Sequence, residues 1–479
     1  MKVLYVAAEA VPFAKSGGLG DVAGALPAAL RASRAGVRVV LPLYQDIPQE
    51  LKNSLKFEKE MWVPLAWRSQ YCGIFSANVN GVVYYLLDNQ YYFGRHGLYG
   101  HFDDAERYAF FSKAVLELLQ HIDFEPDVIN CNDWQTGLIP FYLNKFYRNV
   151  NECYQKLQTV YTIHNIQYQG VFSSDIVENV LGLDWNDYAG GYLQFDNCVN
   201  YMKTGILAAN WVTTVSPTYS GEIQTEYYGH GLQNLLQQES AKLSGIINGI
   251  DYETNNPETD PHLFQTYSVD TLEDKKVNKV KLQELLGLPQ RDDVPVIAIV
   301  SRLVDHKGLD LVAAVLDDIL SDDVQLVVLG TGDWRYEELM RSAARNYPAK
   351  VSANITFNAD LAQKIYAGAD IFLMPSQSEP CGLSQMMAMR YGTIPVVRET
   401  GGLKDTVSPY IAWEDSGNGF TFAAYNAHDM LYVIRQAEET YHKPEEWQKL
   451  MKKAMTTDFS WSGPAKEYLA LYRKLTGKR

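Results

Sequence analysis

The sequence predicts an α/β fold made of two doubly wound units. Short apolar runs alternate with longer helix-like segments, which is the pattern of a parallel sheet covered by helices. The alternation stops once, near the middle of the chain, and then restarts. A chain of 479 residues is also too long for one ordinary core.

In the first half the strand-like runs are KVLYVAA at 2–8, RVVLPLY at 38–44, DVINCND at 127–133 and TVYTIHN at 159–165. Between the second and third lies AERYAFFSKAVLELLQHI, long enough and continuous enough to be a helix. Residues 246–261, IINGIDYETNNPETDP, carry Pro257, Pro261 and three asparagines with no apolar period, so they read as a hinge-like connection. Beyond them come VPVIAIVSR, VQLVVLGTGD, ADIFLMPSQSEPCG and TIPVVRETGG, each leading into a helix. The expected boundaries are a first unit over 1–247, a second over 248–457, and a terminal segment over 458–479 whose helix, near PAKEYLALYRKL, crosses back to the first unit. Doubly wound sheets bind ligands outside the carboxyl ends of their strands, so two of them facing each other place a ligand in the cleft between.

The composition is 47% hydrophobic and 21% charged, without a low-complexity tract, as in a compact enzyme-sized protein. Its net charge of −15, from 42 basic and 57 acidic residues, and the lack of a basic stripe argue against nucleic acid as a partner. A small anion stays compatible, because a few well-placed cations act over a short range. The five cysteines follow no metal or redox spacing and read as reduced thiols. No apolar run reaches the roughly 20 residues that cross a bilayer. Met1-Lys2 leads into a short run broken by Glu9 rather than a signal peptide. A cytoplasmic protein without a membrane partner is expected.

Three stretches carry chemistry. In AKSGGLGDVAG, Gly17, Gly18 and Gly20 remove Cβ atoms from a strand-to-helix turn expected to open a helix near Asp21, and Lys15 adds a full charge beside its N–H groups. A tight turn with a solvated lysine would read the same way. In SRLVDHKG, Arg302 and Lys307 follow the strand VIAIV, where such folds hold phosphates; solvated loop charges are the alternative. In PSQSEPCGLSQ, Glu379 precedes Pro380, expected as the first residue of a helix whose free N–H groups belong to Cys381, Gly382, Leu383 and Ser384. An acid there can equally be a cap. Asp133 and His164 each end a strand of the first unit, and Asn248 sits at the junction, where it could serve a turn. No histidine has zinc-ligand spacing, so neither a metal nor another cofactor is expected.

In this order KSGGLGDV, CNDWQTGL, TIHNIQYQG, INGID, NPETD, RLVDHKGLDL, EPCGLSQ and TGGLKDTV resemble the bacterial glycogen synthase and plant starch synthase family, nearly end to end. The resemblance implies the GT-B arrangement, two Rossmann-like domains across a deep cleft. It also implies retaining transfer of glucose from ADP-glucose to the non-reducing end of an α-1,4-glucan. Carried over, Lys15, Gly17 and Gly18 meet the donor, Arg302 and Lys307 hold its diphosphate, and Glu379 lies beside the glucose. The backbone at Gly382 and Leu383, with His164 and Asn248, binds sugar hydroxyls, and Asp133 faces the acceptor. Phe93 and Phe357 stand where some bacterial members have tyrosines near acceptor or nucleobase, and Met387 replaces the second glutamate of other retaining families. A glucan hydrolase would need two carboxylates flanking the scissile bond and no cationic clamp. A silent glucan-binding protein would have no need of Lys15 or Glu379.

Overall fold

In the computed structural model, which describes residues 1–478, the chain divides into two compact units. One comprises residues 1–249 with 461–479, and the other residues 250–460.

The first unit is built on β1 (Lys2–Val6), β2 (Gly36–Pro42), β3 (Lys56–Leu65), β4 (Arg68–Val79), β5 (Val82–Asp88), β6 (Val128–Asn132) and β7 (Gln158–Ile163). A small antiparallel sheet of β8 (Val171–Ser173), β9 (Gln194–Phe195) and β10 (Cys198–Asn200) is inserted before β11 (Trp211–Thr214) and β12 (Leu243–Gly245). The large sheet runs in the order β12-β11-β7-β6-β1-β2-β5-β4-β3. All its pairs are parallel except β3–β4 and β4–β5. The central strand β1 reads as an apolar run after Lys2, and its Val3, Leu4 and Val6 are wholly buried, as expected of a parallel strand covered on both faces.

The antiparallel edge was not among the expected elements. Its signal is Asn80-Gly81, two residues at φ +50° and +79° joining β4 to β5. An Asn-Gly pair at positive φ is the two-residue hairpin turn that matches strand twist. The helix Gly18–Ala32 starts three residues earlier than its acidic side chain suggested. The terminal helix Ser462–Thr476 belongs to this unit, where the hydroxyl of buried Tyr472 donates to Asn130 in β6 at 2.7 Å.

The second unit holds β13 (Val296–Val300), β14 (Gln325–Leu329), β15 (Val351–Asn354), β16 (Ile371–Met374), β17 (Ile394–Arg398) and β18 (Phe420–Phe422). They are all parallel, in the order β15-β14-β13-β16-β17-β18. Counted within the unit this is 3-2-1-4-5-6, the doubly wound order, and its direction reverses between β13 and β16. The first unit has the same reversal between β1 and β6. Ligand crevices in such sheets open beyond the strand ends at these two places.

Candidate active site

In the second unit, the loops after β13 and β16 flank the reversal, and backbone contacts stitch them together. Gln377 N–H donates to the carbonyl of His306 at 2.9 Å. Gly308 lies at φ +73°, and a Cβ there would come within 2.0 Å of the Pro375 carbonyl, so only glycine permits this approach. A third loop closes in from β17, where Arg398 Nη1 donates to the Gln377 carbonyl at 2.8 Å and Gly402 N–H to the Glu379 carbonyl at 3.1 Å.

This frame brings Lys307 onto Glu379. The ammonium lies 2.6 Å from Glu379 Oε2, and the hydroxyl of fully buried Ser376 donates to the same oxygen at 3.0 Å. Glu379 is itself largely buried, and one of its carboxylate oxygens is held by both a cation and a hydroxyl. Asp305, two residues before Lys307, accepts from Tyr336 at 2.5 Å and from Arg335, which anchors the turn from the opposite side. Burial and the Lys307 charge together push His306 down to about 4, so its ring is neutral at pH 7. Arg302 is exposed just beyond β13, and Phe357, 83% exposed, follows β15.

The helix after Glu379 runs from Ser384 to Arg390, not from Pro380. Gly382 at φ +70° cannot continue a right-handed helix, and Cys381 is pressed against Gly402, where a Cβ would meet the Cys381 carbonyl at 2.1 Å. Cys381, Gly382 and Leu383 therefore form an irregular approach to the helix, and Ser384 is its first residue.

In the first unit, the loop after β1 is organised by Glu9. Its buried carboxylate accepts from Ser16 N–H at 2.6 Å and Gly20 N–H at 3.2 Å, and burial raises its pKa. Lys15 pairs with Asp21 at 2.7 Å. A Cβ on Gly17 would meet nothing within 4 Å, which leaves that backbone open, whereas one on Gly20 would crowd Lys15 Cβ at 3.1 Å. Gly20 thus serves the loop's own packing and not ligand access.

Asp133 directly follows β6 at φ +55°, a conformation that non-glycine residues rarely hold without a reason in the surrounding structure. Its Oδ1 accepts from His164 N–H at 2.7 Å, which ties the end of β6 to the end of β7. Burial raises the Asp133 carboxyl to about 7 and lowers His164 to about 3. Asn248 is 5% exposed, and its Oδ1 is a buried acceptor without a hydrogen-bond donor among the described residues. Phe93 is fully buried against Tyr44 and Phe110, so its ring is part of the core.

Residues 2–238 match the family model for the starch synthase catalytic domain, and residues 287–454 the model for glycosyl transferases group 1. A glycogen synthase of Geobacillus thermodenitrificans is 53% identical over 478 residues, covering 100% of this chain and 98% of that protein. The chain belongs to the glycogen synthase family. The glycogen synthase of Desulforamulus reducens is 52% identical over 99% of both chains. Among solved structures, the catalytic domain of starch synthase IV from Arabidopsis thaliana, bound to ADP and acarbose, superposes with a TM-score of 0.92 at 33% identity over 99% of both chains. Sucrose-phosphate synthase from Thermosynechococcus elongatus shares the fold, at a TM-score of 0.62 and 16% identity.

As a glycogen synthase family member the chain is a retaining glucosyltransferase of the GT-B class. In this family member the two units each carry part of the predicted set: Lys15, Gly17, Gly18, Asp133, His164 and Asn248 in the first, and Arg302, Lys307, Phe357, Glu379 and Cys381–Ser384 in the second. Sequence reasoning missed Glu9, Asn132, Ser376 and Arg398, which hold the predicted residues in place. Ser376 and Arg398 had a signal, since both sit at carboxyl ends of strands around a doubly wound reversal. Glu9 and Asn132 look like ordinary strand-end residues until their partners are known. No helix among the described residues is long and apolar enough to cross a membrane.

Proposed function

We propose that the chain transfers glucose from ADP-glucose to the non-reducing end of an α-1,4-glucan, with Arg302 and Lys307 on the donor diphosphate and Glu379 beside the glucose. The observation that carries this reading is the 2.6 Å pair between Lys307 and Glu379 at the sheet reversal. A cation meant for phosphate and a carboxylate meant for a sugar sit on adjacent loops, and the carboxylate holds the lysine in place until phosphate oxygens replace it. The related starch synthase IV bound to ADP and acarbose supports an adenine nucleotide and a glucan-like ligand.

Lys15 adds charge to the departing diphosphate, and the open backbone at Gly17, with Gly18 next to it in the chain, admits the donor. Phe357 offers an exposed ring to the nucleobase. His164, Asn248 and the backbone of Cys381 to Ser384 bind sugar hydroxyls. Asn248 Oδ1 supports this role, since a buried acceptor lacking a donor suits a hydroxyl ligand. Asp133, as a strained strand-end residue whose carboxyl titrates near neutrality, serves the acceptor side. Glu379, already held by Lys307 and Ser376, is a charge-stabilising group rather than a nucleophile. The acceptor hydroxyl therefore attacks on the face the diphosphate leaves, and the diphosphate takes its proton. The five free cysteines suit the reducing cytoplasm.

The test is transfer of radiolabelled glucose to glycogen from ADP-glucose and UDP-glucose in parallel. Incorporation from ADP-glucose in an α linkage is expected. Incorporation from neither donor, or a β linkage in the first product, overturns the reading.

A further inference from the structure

The end of β6 contains a polar side chain to which the proposed reaction assigns nothing. Asn132 is completely buried, one residue before Asp133. Its Nδ2 donates to the carbonyls of Val6 at 2.9 Å and Asn130 at 3.2 Å. Carbonyl oxygens can only accept, so the NH2 group must face them and Oδ1 must face the other way. On that side lie the Tyr5 hydroxyl at 3.0 Å and His164 Nε2 at 2.9 Å. An amide oxygen has no proton to give, so Nε2 of His164 must carry one.

We propose that Asn132 is a positioning residue that fixes His164 as the neutral Nε2–H tautomer, leaving Nδ1 as an acceptor for a substrate hydroxyl. The second half rests on the proposed contact between His164 and the sugar. Asn132 and Asp133 hold the histidine together, one through its ring and the other through its main-chain N–H at 2.7 Å. The network behind Asn132 reaches the terminal helix. Asn130 Nδ2 donates to Thr162 Oγ1 at 3.0 Å, while Asn130 Oδ1 accepts from Tyr472 at 2.7 Å. Asn132, Tyr5, Val6, Asn130, Thr162 and Tyr472 are all buried and His164 is half-buried, and with two carbonyls facing its NH2 group the Asn132 amide has one favoured orientation. Burial keeps the His164 ring uncharged near neutral pH, and the amide then decides which nitrogen holds the proton.

The test is the multiple-bond proton–nitrogen spectrum of the full-length enzyme labelled with 15N-histidine, with the His164 signals assigned by their loss in His164→Gln. The wild type is expected to show a protonated Nε2 and a lone-pair Nδ1. Asn132→Asp keeps an acceptor oxygen and should keep that tautomer. Asn132→Ala should mix the tautomers and lower kcat about tenfold, the effect of misdirecting one hydrogen bond, with a smaller change in KM. A wild-type ring protonated mainly at Nδ1 overturns the assignment and needs no variant to fold. An unchanged Nε2–H ring in Asn132→Ala overturns it as well. If the tautomer is as stated but His164→Gln transfers glucose at the wild-type rate, the sugar contact fails and the assignment of Asn132 stands.

Discussion

In Lys15→Ala an ammonium is lost from a loop on which folding barely depends. The Lys15 side chain is 44% exposed and its partner Asp21 31% exposed. A pair this open contributes at most about 1 kcal/mol. A domain of this size should then melt no more than about 2 to 4 °C lower. The Ser16 and Gly20 N–H groups stay bound to Glu9, so the loop keeps its shape without the lysine. Catalysis should respond differently, because loss of one preorganised donor to developing leaving-group charge typically costs about 3 to 4 kcal/mol, or roughly 10²-fold to 10³-fold in kcat/KM. The assay is incorporation of radiolabelled glucose into glycogen at limiting ADP-glucose, beside a thermal melt of the same preparation. A large kinetic loss with a small shift in melting temperature is expected. Near-full activity at limiting donor would show that Lys15 is a solvated loop charge and would refute its place in the reaction.

Glu379→Ala should lose most of kcat while ADP affinity, read by calorimetry, is kept or tightened, because Lys307 no longer has a carboxylate at 2.6 Å competing with phosphate; weaker ADP binding would count against the pair's proposed exchange. Raising Asp133 from 3.8 to about 7 makes its ionisation unfavourable in the folded state only, so the wild type should lose stability as pH rises from about 4 through 7. Asp133→Asn can still accept from His164 N–H, and its gain over wild type in urea unfolding should grow with pH to the order of 2 to 4 kcal/mol at pH 7.5; an equal gap at pH 5 and pH 7.5 would be the contrary result. Transfer should survive EDTA, since Lys15, Arg302 and Lys307 together can neutralise a departing diphosphate; complete loss, restored by magnesium or manganese, would refute this.

The sequence by itself determined the class of fold and marked the strand ends at which the candidate residues lie. Runs such as VIAIV and IFLM are apolar at every position because parallel strands are buried on both faces, and the candidate residues lie in the loops that follow such strands. That is why Lys307, Glu379, Asp133 and His164 were legible. What only the tertiary structure decided is how they are held. Lys307 and Glu379 are distant in sequence, and they meet because β13 and β16 are neighbours at the reversal of the sheet, which strand order sets and composition does not. The start of the helix at Ser384 was illegible for a related reason: Pro380 suits a first helical turn locally, but the close approach of Gly402 to Cys381 and the positive φ of Gly382 postpone it. Asn132 shows the same limit at the level of a single proton. Its residue type allows either orientation of the amide, and only the carbonyls of Val6 and Asn130, brought to it by the pairing of β1 with β6 and by its own strand, select one. Local sequence sets which groups a strand end can offer, and the non-local packing of several strands sets where each group points, because hydrogen bonds and ion pairs act over only a few ångströms.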